Sequence, residues 1–364
     1  MSLRIFFDGD EWVGTKSISV SASNMDATRT FSVEVAEGIG TDEFWQPPGT
    51  SVRIETEQGD VVLEGFVNSF EPEFDETDHK ITVTGRSASQ DSVDSSVDHA
   101  TGRFENMDAK EIIEAAGAPY GLSVEVEGDV KLKKLQRFQI NQGETVHAMA
   151  LRLAKSCGFG VRGGAGNAFI LFRSKDDSIG ALAEGIFPVK KMKASLSDDK
   201  KHKKHKNKGQ MSGHEGRYGK EASQPNATVT DGSVKRNRVR ISVVERSSDS
   251  QTAQDRADWD ARRSGADQTK ITCIIYGHYL NGILVEPNKR VAIVSPWLKV
   301  SREMLIESVE YKFDDSGSIS EMEIVDPAGW GGKSKKGSSG AGSDDAWTTP
   351  EYESSSDVPD GAGE

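Results

Sequence analysis

The sequence is poor in the groups that fix a small-molecule chemistry. It has 2 cysteines among 364 residues. Cys157 and Cys273 stand in unrelated segments, which excludes a disulfide framework and a zinc quartet; both are read as small buried hydrophobes. No apolar run approaches the roughly 20 residues of a membrane-spanning helix, and the opening Met1-Ser2-Leu3-Arg4-Ile5-Phe6-Phe7-Asp8 lacks a signal peptide's long apolar region. The expectation is a soluble chain made in the cytoplasm. Positive charge is also short: the net charge is −13, which disfavours electrostatic capture of phosphate. A conduit that passes DNA without holding it, however, gains from acidic or neutral walls.

Catalytic signatures are missing as well. The string nearest to a nucleophile elbow, Gly85-Arg86-Ser87-Ala88-Ser89, lacks the second glycine, so Ser87 reads as a strand-end residue. Gly163-Gly164-Ala165-Gly166 has no P-loop lysine and no following helix, and reads as a hairpin turn. His202 and His205 have metal-ligand spacing but sit in the run Lys200-Lys201-His202-Lys203-Lys204-His205-Lys206, whose lysines repel a cation; a solvated flexible loop is expected, with a basic contact for DNA or an acidic partner as its other use. Acidic pairs such as Asp75-Glu76, and Asp94 with Asp98, read as charged turns rather than a glycosidase acid and base. No catalytic, cofactor or metal site is expected, and the chain is read as a non-enzyme.

What is present is turn chemistry and period-two alternation. With 37 glycines, 35% hydrophobic and 28% charged residues, the composition suits a folded, β-dominated chain, and its length suits two to four domains. Ile18 and Val20, then Phe31, Val33 and Val35, then Val52 and Ile54, then Ile81 and Val83 alternate as in half-buried strands, separated by turns such as Asp8-Gly9 and Pro47-Pro48-Gly49. From Asn106 the period changes. Asp108 can cap a helix ended by Gly117 and Pro119, and Gly143-Glu144-Thr145 leads into Val146, Met149, Ala150 and Leu153, closed by Gly158. A short helix is expected over Gln251 to Arg263, after a loop or extended excursion from Ser197 to Thr228.

The fold expected is mainly β with an α+β insert: two tube-like antiparallel β-barrel modules, a small α+β domain and a disordered-looking C-terminal tail. The boundaries read as a first module over 1–100, the α+β domain over 101–185, and a mixed region over 186–268. A second module over 269–330, which can combine with parts of 186–250, and a flexible polar tail over 331–364 follow.

The two modules resemble each other. An offset of 239 pairs Pro48 with Pro287, Val52 with Val291, Ile54 with Ile293, Val61 with Val300, Glu64 with Glu303, Ser69 with Ser308, Glu71 with Glu310, Phe74 with Phe313 and Asp75 with Asp314. That is nine identities in 28 ungapped positions, where chance gives roughly two. Strand alternation alone demands none of the polar matches. Pro48, Glu71, Phe74 and Asp75, with Pro287, Glu310, Phe313 and Asp314, are therefore the candidate positions of a repeated interface module. Two like modules per chain would let three chains present six like faces around one axis.

Further strings carry a likeness to a known family. They are Trp12 to Val35 with Ala22-Ser23-Asn24-Met25-Asp26 and Thr30-Phe31-Ser32-Val33, then Leu63-Glu64-Gly65-Phe66-Val67 and Val83-Thr84-Gly85-Arg86-Ser87-Ala88. Arg256-Ala257-Asp258-Trp259, Val285-Glu286-Pro287-Asn288 and Met304-Leu305-Ile306 follow in order. Over roughly residues 1 to 330 the sequence resembles the baseplate hub family of Mu-like contractile-tail phages, the gpP-type tail protein, related to late control protein D and the T-even hubs. The resemblance implies a homotrimer in the virion tail baseplate, between the hexameric tail tube protein and a trimeric central spike protein. Baseplate wedge proteins and the tape-measure protein would be further partners, and DNA would pass through the lumen without specific binding. The alternatives are the hub of a tailocin or type VI secretion-like spike and, more remotely, an envelope glycan-binding or hydrolase protein.

Overall fold

The computed structural model describes residues 2–36, 44–74, 76, 79–199, 201–210, 226–232, 234–247, 250–266 and 269–332. Alternation in the first part becomes seven strands: β1 (Leu3–Phe7), β2 (Asp10–Trp12), β3 (Thr15–Ser23), β4 (Thr30–Ala36), β5 (Ser51–Thr56), β6 (Val61–Phe74) and β7 (His79–Ser87). Their inward residues, among them Ile5, Ile18, Val20, Val33, Ile54 and Val83, are fully or almost fully buried.

The period change at Asn106 introduces a separate small core. A short α1 (Gln90–Asp94) leads to β8 (Arg103–Met107), α2 (Ala109–Gly117), β9 (Ser123–Glu127), β10 (Leu135–Gln139), α3 (Val146–Cys157), β11 (Gly160–Gly163) and β12 (Ala168–Phe172). Both long helices start as their caps dictate. Asp108 accepts from the amides of Lys110 and Glu111 while Glu111 reaches back to the Asp108 amide, a reciprocal capping box. Thr145 accepts from the Ala148 amide, and Gly158 closes α3 at φ 76°, a left-handed conformation that a side chain would strain. Ile112, Ile113, Met149, Leu153, Phe169 and Leu171 meet in this second core. The Gly163–Gly166 string is the turn between antiparallel β11 and β12. Gly163 serves a further purpose: its amide donates to the Asp26 carbonyl at 2.9 Å, and a Cβ there would lie 2.3 Å from the Ala27 carbonyl oxygen.

The chain then returns to the main sheet earlier than expected. β13 (Ser178–Ala183) and β14 (Val189–Leu196) precede an excursion made of β15 (Lys204–Gln210), β16 (Asn226–Thr230), β17 (Val239–Ser247) and α4 (Ser250–Ala266). After it come β18 (Thr269–Tyr276), the small hairpin β19 (Tyr279–Leu280) and β20 (Ile283–Leu284), then β21 (Arg290–Ser295), β22 (Val300–Asp314) and β23 (Gly317–Val325). Residues 178–183 were expected in the α+β domain. They pair with β21 instead, in parallel, an arrangement that the long intervening connection permits.

The strands of both modules form one 13-stranded sheet in the order β14-β18-β23-β22-β3-β4-β7-β6-β5-β1-β2, with β21 and β13 attached beside β22. The fold is mainly β with an α+β insert and two antiparallel barrel-like modules, apart from the parallel β13–β21 pair. One apolar core runs through both modules, from Leu3 and Ile5 to Met322 and Ile324. The polar tail lies outside the described residues from residue 333 onward.

The Lys/His run corrects the sequence reading. Lys204 to Lys206 belong to β15, the middle strand of the sheet β16-β15-β17; Lys200 lies outside the described residues. Alternation puts His205 and Asn207 inward, where both are buried, and Ala257 of α4 packs into the same small core. Burial, with the neighbouring His202 and Arg240 charges, pushes the His205 imidazole down. The helix expected over Gln251 to Arg263 runs from Ser250 to Ala266. Of the two cysteines, Cys273 is buried and Cys157 only half-buried.

Candidate assembly interface

The repeated hairpins correspond pair by pair over most of their length, except that β5–β6 shifts register between Ile54 and Glu55 where β21–β22 runs on unshifted. Ser51 faces Phe66 and Ile54 faces Leu63 in β5–β6; 239 residues later Arg290 faces Leu305 and Ile293 faces Arg302 in β21–β22. Phe70 faces Val83 in β6–β7 and Val309 faces Met322 in β22–β23. Irregularities coincide too: one ladder shifts between Val67 and Ser69, the other between Ile306 and Ser308. Alternation explains none of this, because a bulge is an extra residue at one chosen place.

The loops entering β5 and β21 repeat the same hydrogen bonds. Gly49 donates to the Val67 carbonyl and Val67 to that of Thr50, at 2.9 and 3.0 Å; Asn288 donates to the Ile306 carbonyl and Ile306 to that of Lys289, at 2.9 Å each. Gly49 and Asn288 both take positive φ, 97° and 71°. Asparagine is one of the few side chains that tolerates that region.

The correspondence extends beyond the hairpins. Val33 pairs Val83 in β4–β7 as Cys273 pairs Met322 in β18–β23. Val20 pairs Phe31 in β3–β4 as Ala194 pairs Ile271 in β14–β18, and both ladders shift at the same place, between Thr15 and Ser17 and between Val189 and Lys191. β14 is therefore the second module's version of β3, at an offset of 174 from Val20 to Ala194.

Among the described residues the strands of the two modules pair with each other at one seam. β22 pairs antiparallel with β3, Ser308 opposite Ser23 and Phe313 opposite Ile18. Val309 and Tyr311 are buried there with Val20 and Ala22. The Tyr311 hydroxyl donates to the Val285 carbonyl at 2.5 Å, and full burial drives its ionisation far above the ordinary phenol range.

Ion pairs lock the rest onto this seam. Arg29, in the β3–β4 loop, donates to the Val62 carbonyl at 2.8 Å and pairs with Glu286 at 3.0 Å. Glu307 of β22 holds Arg263 of α4 at 2.6 Å and accepts from the Trp330 indole at 3.2 Å. Glu127 of β9 meets Arg162 at 2.8 Å, Lys175 at 2.9 Å and Asn288 at 3.2 Å. Burial alone would raise its pKa, but these cations and donors outweigh it and hold the carboxyl down to about 2.

The candidate positions from the sequence fall at corresponding places. Pro48 and Pro287 lie in the loops entering β5 and β21, Glu71 and Phe74 on the outer half of β6, and Glu310, Phe313 and Asp314 on the outer half of β22. Asp75 lies outside the described residues. Glu310 and Phe313 sit at the in-chain seam, opposite Ser21 and Ile18, with Asp314 just beyond it, whereas Glu71 and Phe74 are exposed. The sequence reading missed β14. Its repeat was nonetheless visible at the offset of 174, where Lys16, Ser21 and Ser23 match Lys190, Ser195 and Ser197.

The serine and acidic strings singled out in the sequence have other partners among the described residues. Ser87 ends β7 with its hydroxyl shared between Ser89 and the Arg29 amide, Asp94 is taken up by Arg86, and no group of three metal-ligating side chains occurs among the described residues. No helix among them is long and apolar enough to cross a membrane.

Three family models match consecutive parts of the chain: the GpP-like N-terminal domain of Mu phage baseplate assembly proteins over 2–87, the second domain of gp44-like baseplate hub proteins over 89–167, and the fourth domain of the Mu phage baseplate assembly protein GpP over 249–332. The baseplate hub protein gp44 of Escherichia phage Mu is 25% identical over 320 residues, 86% of this chain and 84% of that protein. The 43 kDa tail protein of prophage MuSo2 from Shewanella oneidensis superposes with a TM-score of 0.77 at 25% identity, covering 91% of this chain and 99% of that one. A type VI secretion component of E. coli, described as similar to the T4 tail proteins gp27 and gp5, shares the fold, with a TM-score of 0.56 at 8% identity over 88% of this chain and 76% of its own.

Proposed function

The chain belongs to the baseplate hub proteins of Mu-like phages, a structural and non-enzymatic family, and from that premise we propose that three copies close into a ring adapting a hexameric tail tube to a trimeric central spike. The observation that carries this reading is the duplication of the sheet module, with the shift after Val67 repeated after Ile306. A ring of three such chains offers six nearly equivalent faces on one side while remaining threefold on the other. The tube protein would sit on the six faces, the spike below, and wedge proteins around the rim. Tape-measure protein and DNA would occupy the lumen, and the net charge of −13 per chain would keep the path free of phosphate-binding sites. Assembly would take place in the host cytoplasm before the hub enters the virion.

A mass measurement by light scattering at several concentrations tests the ring. Three times the 39.5 kDa chain mass is expected, and particle images down the axis should show threefold symmetry with a pseudo-sixfold inner wall. A single-chain mass at every concentration would sink the reading. The fold is shared with type VI proteins, so a tailocin or secretion hub remains the second assignment, and capsid genes beside this one decide between them.

A further inference from the structure

Among the described residues the two module copies pair at one seam, and the two strand edges that are its counterparts lie open. In the seam, Ser308–Phe313 of β22 meets β3. The first copy's equivalent of that stretch is Ser69–Phe74 of β6, and the second copy's equivalent of β3 is β14. Among the described residues, Ser69–Phe74 pairs only with β7 and β14 only with β18.

From this geometry we infer that β14 of one copy of the chain pairs antiparallel with Ser69–Phe74 of the next, in the register of the in-chain seam. The inference rests on the ring proposed above and supplies its subunit contact. Carrying both offsets across places Phe74 opposite Met192, Glu73 opposite Lys193, Pro72 opposite Ala194, Glu71 opposite Ser195 and Phe70 opposite Leu196.

Three observations favour that partner. First, each edge displays apolar side chains whose counterparts in the seam are covered. Phe74 is 80% exposed and Leu196 50% exposed, while Ala22, the equivalent of Leu196, is 2% exposed, and Phe313, the equivalent of Phe74, packs against the core. Second, the charges select the pairing. Glu71 and Glu73 repel a second β6 edge, and Lys190, Lys191 and Lys193 repel a second β14 edge, but the mixed pairing sets Glu73 directly against Lys193. That favours head-to-tail contacts, which close into rings, over two-fold ones.

Third, Pro72 stands where a proline does least harm. The Asp314–Gly317 pair closes a two-residue turn, so hydrogen-bonded pairs on the β23 side fall at even positions of β22 and the amide of Tyr311, the equivalent of Pro72, points to β3. Pro72 therefore costs the β7 ladder nothing and leaves the new ladder a single donor short.

Paired cysteines in the full-length chain test the register. Glu73→Cys with Lys193→Cys places two thiols directly opposite, at a Cα separation of about 4.5 Å, inside the disulfide range. Mild oxidation should give covalently closed trimers on a denaturing gel, about tenfold more than Glu73→Cys with Ser195→Cys, where a two-residue slip takes the Cα atoms past about 7 Å. Either single-cysteine variant should give none, which accounts for Cys157 and Cys273. A trimeric mass without preferential 73–193 linkage would overturn the ladder and leave the ring standing, whereas a monomeric mass would overturn both. Independently, Glu73→Lys should raise the subunit dissociation constant about fivefold per seam, and adding Lys193→Glu to the same chain should restore it. Failure of that restoration counts against the register.

Discussion

The first copy of the module is compact in sequence and the second is interrupted. In the first, β3 and β4 are joined by the short loop from Asn24 to Arg29; in the second, the equivalent strands β14 and β18 are separated by everything from Ser197 to residue 268, including β15, β16, β17 and α4. The ladder on either side of that insertion is nevertheless unchanged, down to its shift near the strand start. Register is thus held by the pairing of inward residues, not by loop length, because lengthening a loop costs little once both strands have a buried face. The interruption also has a use. It brings Trp259 to a cluster with Phe172, Leu305 and Trp330, and Arg263 to Glu307, so the inserted segment braces β22 at the point where the seam begins.

The copies also differ in their first strand. β1 meets β5 antiparallel, because the β2 hairpin turns the chain before β3, while β13 meets β21 in parallel. The same slot beside the repeated hairpin is filled from opposite directions. The slot demands inward apolar residues, here Leu3, Ile5 and Phe7 against Ile179 and Leu182, and both strand directions supply them.

Equivalent positions can be set against each other. The largest difference is expected between Tyr311→Ala and Pro72→Ala: the first empties a buried site and should cost about 3–5 kcal/mol in denaturant unfolding, while the second, on an open edge of the single chain, should stay within about 0.5 kcal/mol. Equal losses would mean that the β6 edge is already covered in the isolated chain.

Acid should then act on the second copy and on the α+β insert. His278 in the second copy and His147 of α3 are both held down to about 4, chiefly by burial. Unfolded imidazole titrates near 6.5, so the unfolded chain binds protons first. Stability is full above about pH 6.5 and falls as the pH drops through 4. Glu127, held at about 2 against an unfolded value of 4.5, removes its own share from about pH 4.5 down to 2. Unfolding midpoints across pH 3 to 8 should show this slope, and His278→Gln should flatten its upper part.

A smaller effect tests the two entry loops. Gly49→Ala forces a side chain into positive φ and should cost about 1 kcal/mol, and Asn288→Gly keeps the conformation but loses the bond to Glu127, again about 1 kcal/mol. The smallest concerns the inserted sheet. Lys206→Ala, on the outward side of β15, should change stability by under about 0.5 kcal/mol, and His205→Ala, on its buried side, by more than that.

The sequence made legible whatever was settled by residues near one another. Caps at Asp108 and Thr145, the stop at Gly158, the β11–β12 turn and the strands of the repeated hairpin all depend on local backbone chemistry or on alternation. What stayed hidden depended on partners far along the chain. β14, with its three lysines, goes unassigned within the mixed region over 186–268, and its ladder with β18 shows which face is inward. The basic run reads as loop because α4, which covers His205 and Asn207, begins more than 40 residues later. The exposed face of Phe74 gave no sign that its counterpart Phe313 lies in a seam.

By itself, then, the sequence determined a duplicated β module with an α+β insert, since turn residues, caps and inward alternation are specified locally and repeat at a fixed offset. Tertiary structure decided which edges of those modules are closed within the chain and which stay open among the described residues, because a strand edge is satisfied only by backbone groups that the fold brings to it from elsewhere.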